Sequence, residues 1–489
     1  MKYFIPFIFL AHISACAQTV SWLTTEQLEP WDACYRVEKD SHNNSYYLSG
    51  HGGGGTSGSG YEYWTIHKLN PAHNKLNWGV TMQGWGLNVM DFALAGDAAF
   101  VCGHFWAYSQ VLGYNSPGQY GSFLARIDAS GNIAGGKYIS FSERVALISD
   151  KDYLYLAAYY THVFSMGQDT LVNDTTEGCI VMKLDTALSP VWYKTIPVKS
   201  NFFTMALMMQ GRNIVMVADY KAGLTVDGYQ VAPDTGSAGT FLLALDKNGA
   251  ALWLTNVAAH AAFSEWHGLA IDRQGATYVS WYGGNEWLSK FDNNGKLVWN
   301  KPVAYRVEAM DFQGDRLAMA GIDGNLGIPY FELRDTAGNQ VFNATYTNAE
   351  ILFIRGMGNN IYQVAGQASA GNLFFTLGPS APGCSYTMCN SSDGFVMGFK
   401  DTTTYTAVNT FKEIGGVKIS PNPSSLFTIE RGSNSPAVIE LVDYQGRCVL
   451  TREINEARTQ LDLTAEPRGI YFIKIKQPNG WVCRKICVE

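Results

Sequence analysis

Phe241-Leu-Leu-Ala-Leu-Asp246-Lys-Asn-Gly249, running on to Trp253, is the stretch from which the fold is read. An apolar, strand-favouring run enters Asp, turns through Gly and leaves on a second strand that carries a large aromatic. The pattern returns at Trp287-Leu-Ser-Lys-Phe-Asp292-Asn-Asn-Gly295 with Trp299, and the Asp-to-Trp interval is seven both times. Asp185 to Trp192 repeats it, Asp335 to Phe342 keeps an aromatic, and Asn70 to Trp78 is one residue longer. Asp128-Ala-Ser-Gly131 opens the same hairpin with Gly135 in the aromatic place, and Asp401 starts a seventh, degenerate copy. Such recurrence marks a repeat array.

A second hairpin follows each of the first six copies, most clearly at His267-Gly-Leu-Ala-Ile-Asp272-Arg-Gln-Gly275-Ala-Thr-Tyr278. Two hairpins give four short strands per unit. The intervals between turn positions, 58, 57, 61, 46, 43 and 66 residues, suit a four-stranded blade with loops. The ends are complementary: Cys34 to Gly50 is a second-type hairpin without a first, and Phe395 to Phe411 a first-type hairpin without a second. The fold expected is all-β, a seven-bladed β-propeller over residues 18–413. A split blade is expected to close it by pairing 34–50 with 395–411, because that would join otherwise open sheet edges. The spacing resembles the β-propeller repeats of secreted bacterial proteins, with a Lys-Leu-Asp-x-x-Gly strand turn and a trailing Trp. That resemblance implies fold and is silent about function.

Lys2 and the apolar run Tyr3 to Leu10, followed by Ala15-Cys16-Ala17, form a secretory signal over 1–17, with cleavage between Ala17 and Gln18. Ile13-Ser-Ala-Cys16 also fits a lipoprotein box, which would lipidate Cys16. Either reading means export, and no later run has the length of a membrane span. Eight cysteines remain after residue 17. In an oxidising compartment Cys384 and Cys389 are the local disulfide candidates; zinc lacks a second ligand pair.

Residues 414–489 break the repeat at Pro421-Asn422-Pro423. Short strands with turns at Asp443-Tyr-Gln-Gly446 and Pro467-Arg-Gly469 predict a small Ig-like β-sandwich. Pro421-Asn422-Pro423, Asp443-x-x-Gly446 and Gly469-Ile-Tyr471 resemble the C-terminal sorting domain of the bacterial type IX secretion system. The resemblance implies passage through the periplasm, the secretion machinery as a partner, and release or outer-membrane surface attachment.

A net charge of -7 supplies no basic stripe for nucleic acid, and 47% hydrophobic residues exclude general disorder. His51-Gly-Gly-Gly-Gly55 has no Gly-x-Ser-x-Gly elbow to serve, so it reads as a loop. The repeated Asp residues read as turn acceptors rather than calcium ligands. No catalytic constellation, cofactor motif or metal set emerges. Long connections, Gly50 to Tyr61, Phe105 to Gly121, Thr161 to Gly178, Lys221 to Gly239 and Gly366 to Gly394, fall on the face opposite the short turns. Trp85, Glu143, Phe202, Trp266, His267 and Arg306 belong to that face and are the ligand-binding candidates. The leading expectation is an exported or surface protein holding a glycan or protein ligand there. The alternatives are a propeller hydrolase or lyase with a dispersed site using Glu143, His267 and Arg306, and a purely structural propeller.

Overall fold

The structure is a computed structural model. It describes residues 18–26, 32–51, 61–71, 76–106, 109–111, 120–142, 144–198, 205–221, 223–232, 238–258, 268–282, 285–322, 329–347, 349–357, 361–376, 384–401, 418–420, 424–431, 434–443, 448–464, 466, 469–477 and 480–488. The signal segment 1–17 and the expected boundary at 413/414 lie outside them. The chain divides into two units, Met1–Thr402 and Thr403–Glu489. Among the described residues the fold is all-β, with no helix.

In the first unit the strands form consecutive antiparallel meanders of four. Asp32–Lys39, Ser45–His51, Tyr61–Leu69 and Leu76–Trp85 pair in that order. Five more meanders follow the same plan over 88–139, 145–196, 205–258, 269–303 and 306–347. A seventh has three strands in sequence, Ala349–Gly356, Ile361–Thr376 and Cys384–Asp401. It takes its fourth from the other end of the unit. Gln18–Glu26 runs antiparallel to Cys384–Asp401, with Gln18 opposite Asp401 and Glu26 opposite Gly394.

The expected pairing of 34–50 with 395–411 is therefore corrected. Residues 34–50 are the first half of the first meander, bonded to their sequence neighbour Tyr61–Leu69, as adjacent elements usually are. The open edge of Cys384–Asp401 is covered by Gln18-Thr-Val-Ser-Trp-Leu-Thr-Thr-Glu26, a run of good strand formers.

Each meander buries a face against the next. Tyr46, Leu48 and Ile66 of the first share a core with Phe92, Val101 and Phe123 of the second. Phe100 and Leu124 then meet Leu147 and Leu156, Tyr155 and Val181 meet Met216 and Phe241, and Val215 meets Val279. Tyr278 and Leu288 meet Met310 and Leu317. Tyr362 of the seventh donates its hydroxyl to the Arg316 carbonyl of the sixth at 3.2 Å. Ala365 and Val396 of the seventh pack with Cys34, Val37 and Tyr47 of the first. Burying each such side chain stabilises by about 1.5–3 kcal/mol before entropy.

The repeated residues have two linked tasks. At Asp128, Asp185, Asp246 and Asp292 the carboxylate accepts backbone N–H bonds from residues two and four further on, as Asp246 does from Asn248 and Ala250 at 2.8 and 2.9 Å, and Asp335 accepts from Asn339, four further on. The trailing Trp docks on the turn of the next meander. Trp78, Trp192 and Trp253 donate Nε1–H to the carbonyls of Ala129, Lys247 and Asn293 at 2.9–3.0 Å. Their rings lie where a Cβ on Gly131, Gly249 or Gly295 would stand, 2.5–3.0 Å away. The third meander breaks both halves of the rule together. The strand before it has Gly135 in the Trp place, and its turn carries Leu188 in the Gly place, at φ 62° and 3% exposed. One buried side chain stands in for the absent ring.

Several long connections are not plain loops. Thr161 to Gly178 extends its hairpin, so that Met166 pairs with Ile139 of the previous meander. Phe374, Phe375 and Thr376 likewise pair with Thr347, Tyr346 and Thr345, and Ser109–Gln110 pairs with Gly84 and Gln83. A hairpin of Leu224–Val226 and Tyr229–Val231 ends in Asp227, which is 2.7 Å from Lys194 Nζ on the previous meander. These arms latch neighbouring sheets.

The second unit contains a three-stranded sheet (Lys418–Ser420, Leu426–Glu430, Arg458–Asp462) and a four-stranded one (Cys448–Ile454, Ala437–Asp443, Gly469–Gln477, Gly480–Val488). Phe427, Ile429 and Leu461 of the first sheet share a core with Ile439, Leu441, Ile473 and Ile475 of the second.

Candidate functional site

Trp85 ends its strand on the exposed side of a strictly alternating pattern and is 51% exposed. Its carbonyl accepts the backbone N–H of Trp106 at 3.4 Å, which brings the end of the first meander to the root of the second meander's arm. Trp106 is 45% exposed and Tyr120, at the other root of that arm, 62%. Phe141 lies between them, its ring centroid 5.0 Å from Trp106 and 6.3 Å from Tyr120, both edge-on. Beneath sits His104, edge-on to Phe141 at 5.8 Å and to Trp106 at 6.1 Å. The segment carrying Phe141 is held by serines. Ser142 N–H donates to Ser122 Oγ at 2.9 Å, and Ser142 Oγ accepts Tyr159 N–H at 2.9 Å and donates to the Arg144 carbonyl.

His104 is 7% exposed, and its Nδ1 has no hydrogen-bond partner among the described residues. Burial, and then the Arg144 guanidinium, push its pKa down to about 4, so the imidazole is neutral at ordinary pH. No carboxylate among the described residues forms an ion pair with Arg144. Exposed aromatic faces, a neutral imidazole and a guanidinium therefore share one edge of the fold.

A second constellation lies on the first strands of the sixth and seventh meanders. Arg306 begins Arg306–Gln313 and pairs with Glu308. Burial, and then the Glu350 carboxylate, raise Glu308 to about 7, while Gln367 Nε2 donates to Glu350 Oε2 at 2.9 Å. The negative charge of Glu350 thus favours the protonated form of the Glu308 carboxyl. Deeper on the same set of strands, Glu38 lies 3.4 Å from Arg36 and 3.2 Å from Arg355, and Arg36 also pairs with Asp91. Asp91 and Asp311 cap the open edges of neighbouring first strands, accepting from Leu147 N–H and Gly356 N–H at 2.8 Å. This deeper network is structural: its donors and acceptors satisfy backbone that has no ladder partner.

Of the residues singled out from the sequence, Trp85 stands at the aromatic edge and Arg306 at the carboxyl pair. Glu143, Phe202, Trp266 and His267 lie outside the described residues, as do Pro421, Asn422, Pro423 and Gly446. Tyr471 is buried in the second unit's core; its backbone is opposite Asp443, and Gly469 opens its strand. Cys384 and Cys389 share one strand, paired from Cys384–Phe375 to Met388–Gly371. Five residues of extended chain span roughly 16 Å, past the ~7 Å reach of a disulfide. The stretch that carries them is a strand rather than the tight loop expected. Cys34, Cys102 and Cys179 are buried. Among the described residues no three His, Cys, Asp or Glu groups could hold a metal ion.

Sequence reasoning passed over Trp106, Tyr120, Phe141, His104, Glu308 and Glu350. Trp106 was open to it, being a Trp outside the repeated position. Glu308 and Glu350 carried no signal, because only sheet packing brings their strands together.

Residues 418–489 match the family described as Secretion system C-terminal sorting domain. The chain thus carries the tail of the type IX route: it is exported, then secreted or attached at the cell surface, and the secretion machinery is a partner. No helix among the described residues is long and apolar enough to cross a membrane. No curated protein matches the chain. Similar solved structures include the computationally designed Ika8 protein, with TM-score 0.41 and 11% identity over 82% of this chain and 94% of that one. Saccharomyces cerevisiae Sqt1 gives 0.40 and 9% over 69% and 94%. Hydrazine synthase of Kuenenia stuttgartiensis gives 0.36 and 12% over 63% and 96%. Likenesses of this strength carry no argument.

Proposed function

We propose that this chain is a surface or secreted binding protein whose first unit is a seven-bladed β-propeller. In this reading the seven meanders are the blades, and Gln18–Glu26 completes the last one. The cyclic order of the cores, from the first meander through the seventh and back, supports that reading. Cleavage after Ala17 would leave the closing strand whole, with Gln18 at its head. The ligand is held at the sheet ends from which inter-blade connections leave, at Trp85, Trp106 and Tyr120.

The observation that carries the binding reading is the exposed aromatic cluster joined by the Trp106-to-Trp85 backbone bond. Rigidly held rings give large contact area at small entropic cost. The test is a glycan and protein-ligand array probed with residues 18–489 and with Trp85→Ala and Trp106→Ala. Binding that both substitutions leave intact would place the ligand elsewhere.

The Glu308–Glu350 pair beside Arg306 favours a second reading, a hydrolase that uses a protonated and an ionised carboxyl. Screening residues 18–489 against glycoside, ester and peptide substrates tests it. An activity that Glu350→Gln lowers at least about a hundredfold would support catalysis, and one it leaves unchanged would exclude this pair.

A further inference from the structure

We infer that the ligand of the Trp85–Trp106 edge is an acidic saccharide, a pyranose bearing a carboxylate. The inference rests on the binding reading above and names the ligand class for that site.

The argument starts from what the edge offers. Trp85, Trp106 and Tyr120 all leave a large part of their side chains exposed at this edge. Trp106 and Phe141 meet at 66° rather than stacked, so their edge-to-face contact leaves a ring face open. A flat apolar surface alone would serve a protein partner as well. The polar groups discriminate. His104 Nδ1 is buried without a partner, a costly arrangement that a ligand hydroxyl or bound water would relieve. Its ring is edge-on to both Trp106 and Phe141, so the imidazole belongs to the aromatic site.

The cation sets the charge. Arg144 follows directly on the serine-pinned segment, close enough to His104 to repel a proton from it. No carboxylate among the described residues neutralises it. A guanidinium is shaped to take a carboxylate with two parallel hydrogen bonds. A neutral sugar would leave this positive edge unused, and a basic ligand would be repelled. Aromatic faces for the C–H side of a pyranose, a neutral imidazole for a hydroxyl and a guanidinium for a carboxylate together describe a uronate unit.

The test uses residues 18–489 in titration calorimetry against uronate oligosaccharides, their methyl esters and the matching neutral oligosaccharides. The ester keeps the ring and removes the charge. Expected are binding of an acidic oligosaccharide, roughly tenfold weaker binding of its ester, and a similar loss in Arg144→Gln. Trp106→Ala should weaken acid and ester alike. Equal binding of acid and ester overturns the carboxylate assignment and leaves the binding reading standing. Capture of a protein ligand that depends on Trp106, with no saccharide bound, overturns the saccharide class. No ligand of either kind sinks both the inference and the reading beneath it.

Discussion

Glu308 shows how much one residue's neighbours decide. In sequence it is an acid two places after Arg306 in a strand; in the structure it faces Glu350 from the next first strand. Elements packed on Arg306–Gln313 bring Glu350 and Arg355 from Ala349–Gly356, and Arg316 from Arg316–Ile322. Glu308 titrates near 7 when folded, against 4.5 unperturbed, so the folded state binds more protons through that window. Its contribution is therefore neutral below about pH 4.5 and turns destabilising as pH rises to about 7. Glu308→Gln should stabilise the first unit by about 1–2 kcal/mol at pH 8, after allowance for screening, and by little at pH 4. Denaturant titration at the two pH values checks this; a pH-independent difference would mean that Glu308 stays ionised in the folded protein.

The informative element is the turn with the ring that covers it. Trp192 lies over Gly249, and a Cβ added there would come within 3.0 Å of the ring. Where the Trp is absent, at Gly135, the next turn carries Leu188 at positive φ. Gly249→Leu should destabilise strongly, and Trp192→Ala should cost about 3–5 kcal/mol. Together they recreate the Gly135/Leu188 arrangement, so the double variant should be about 1–2 kcal/mol more stable than the two single losses predict. A thermodynamic cycle measures that coupling; simple additivity would show that Leu188 is not a filler. The arms are a second case. Lys194→Ala removes a half-exposed pair with Asp227 and should cost no more than about 1 kcal/mol.

Across the whole first unit, one strand bears a disproportionate load. Among the described residues, Gln18–Glu26 is the only partner of Cys384–Asp401 on its outer side. Removing residues 18–26 would expose that strand's edge and unseat the meander that packs on Cys34, Val37 and Tyr47. Residues 27–489 should therefore melt at lower temperature in a single cooperative transition of the first unit, while the second unit's melting is unchanged. Calorimetry with and without residues 18–26 checks it; equal melting would mean that the sheet closes without this strand.

The sequence by itself determined the all-β class, the turns in which Asp accepts backbone N–H groups, and the sorting tail. All of these rest on local chemistry: alternation, Asp accepting N–H groups two and four residues on, and motifs written in contiguous residues. It also held the Trp spacing, though not that Trp192 covers Gly249 of the next meander, since that contact joins residues 57 apart. Tertiary structure alone decided which strand closes the seventh meander, because residues 34–50 and 18–26 compete for edges that exist only once the sheets assemble. It decided too that the Thr161–Gly178 and Gly366–Gly394 connections are hairpin arms, and that Cys384 and Cys389 lie far apart along an extended strand. The meeting of Trp85, Trp106, Phe141 and His104, and of Glu308 with Glu350, is of the same kind. Neither cluster has a spacing in the chain, because each is made by packing one sheet on the next.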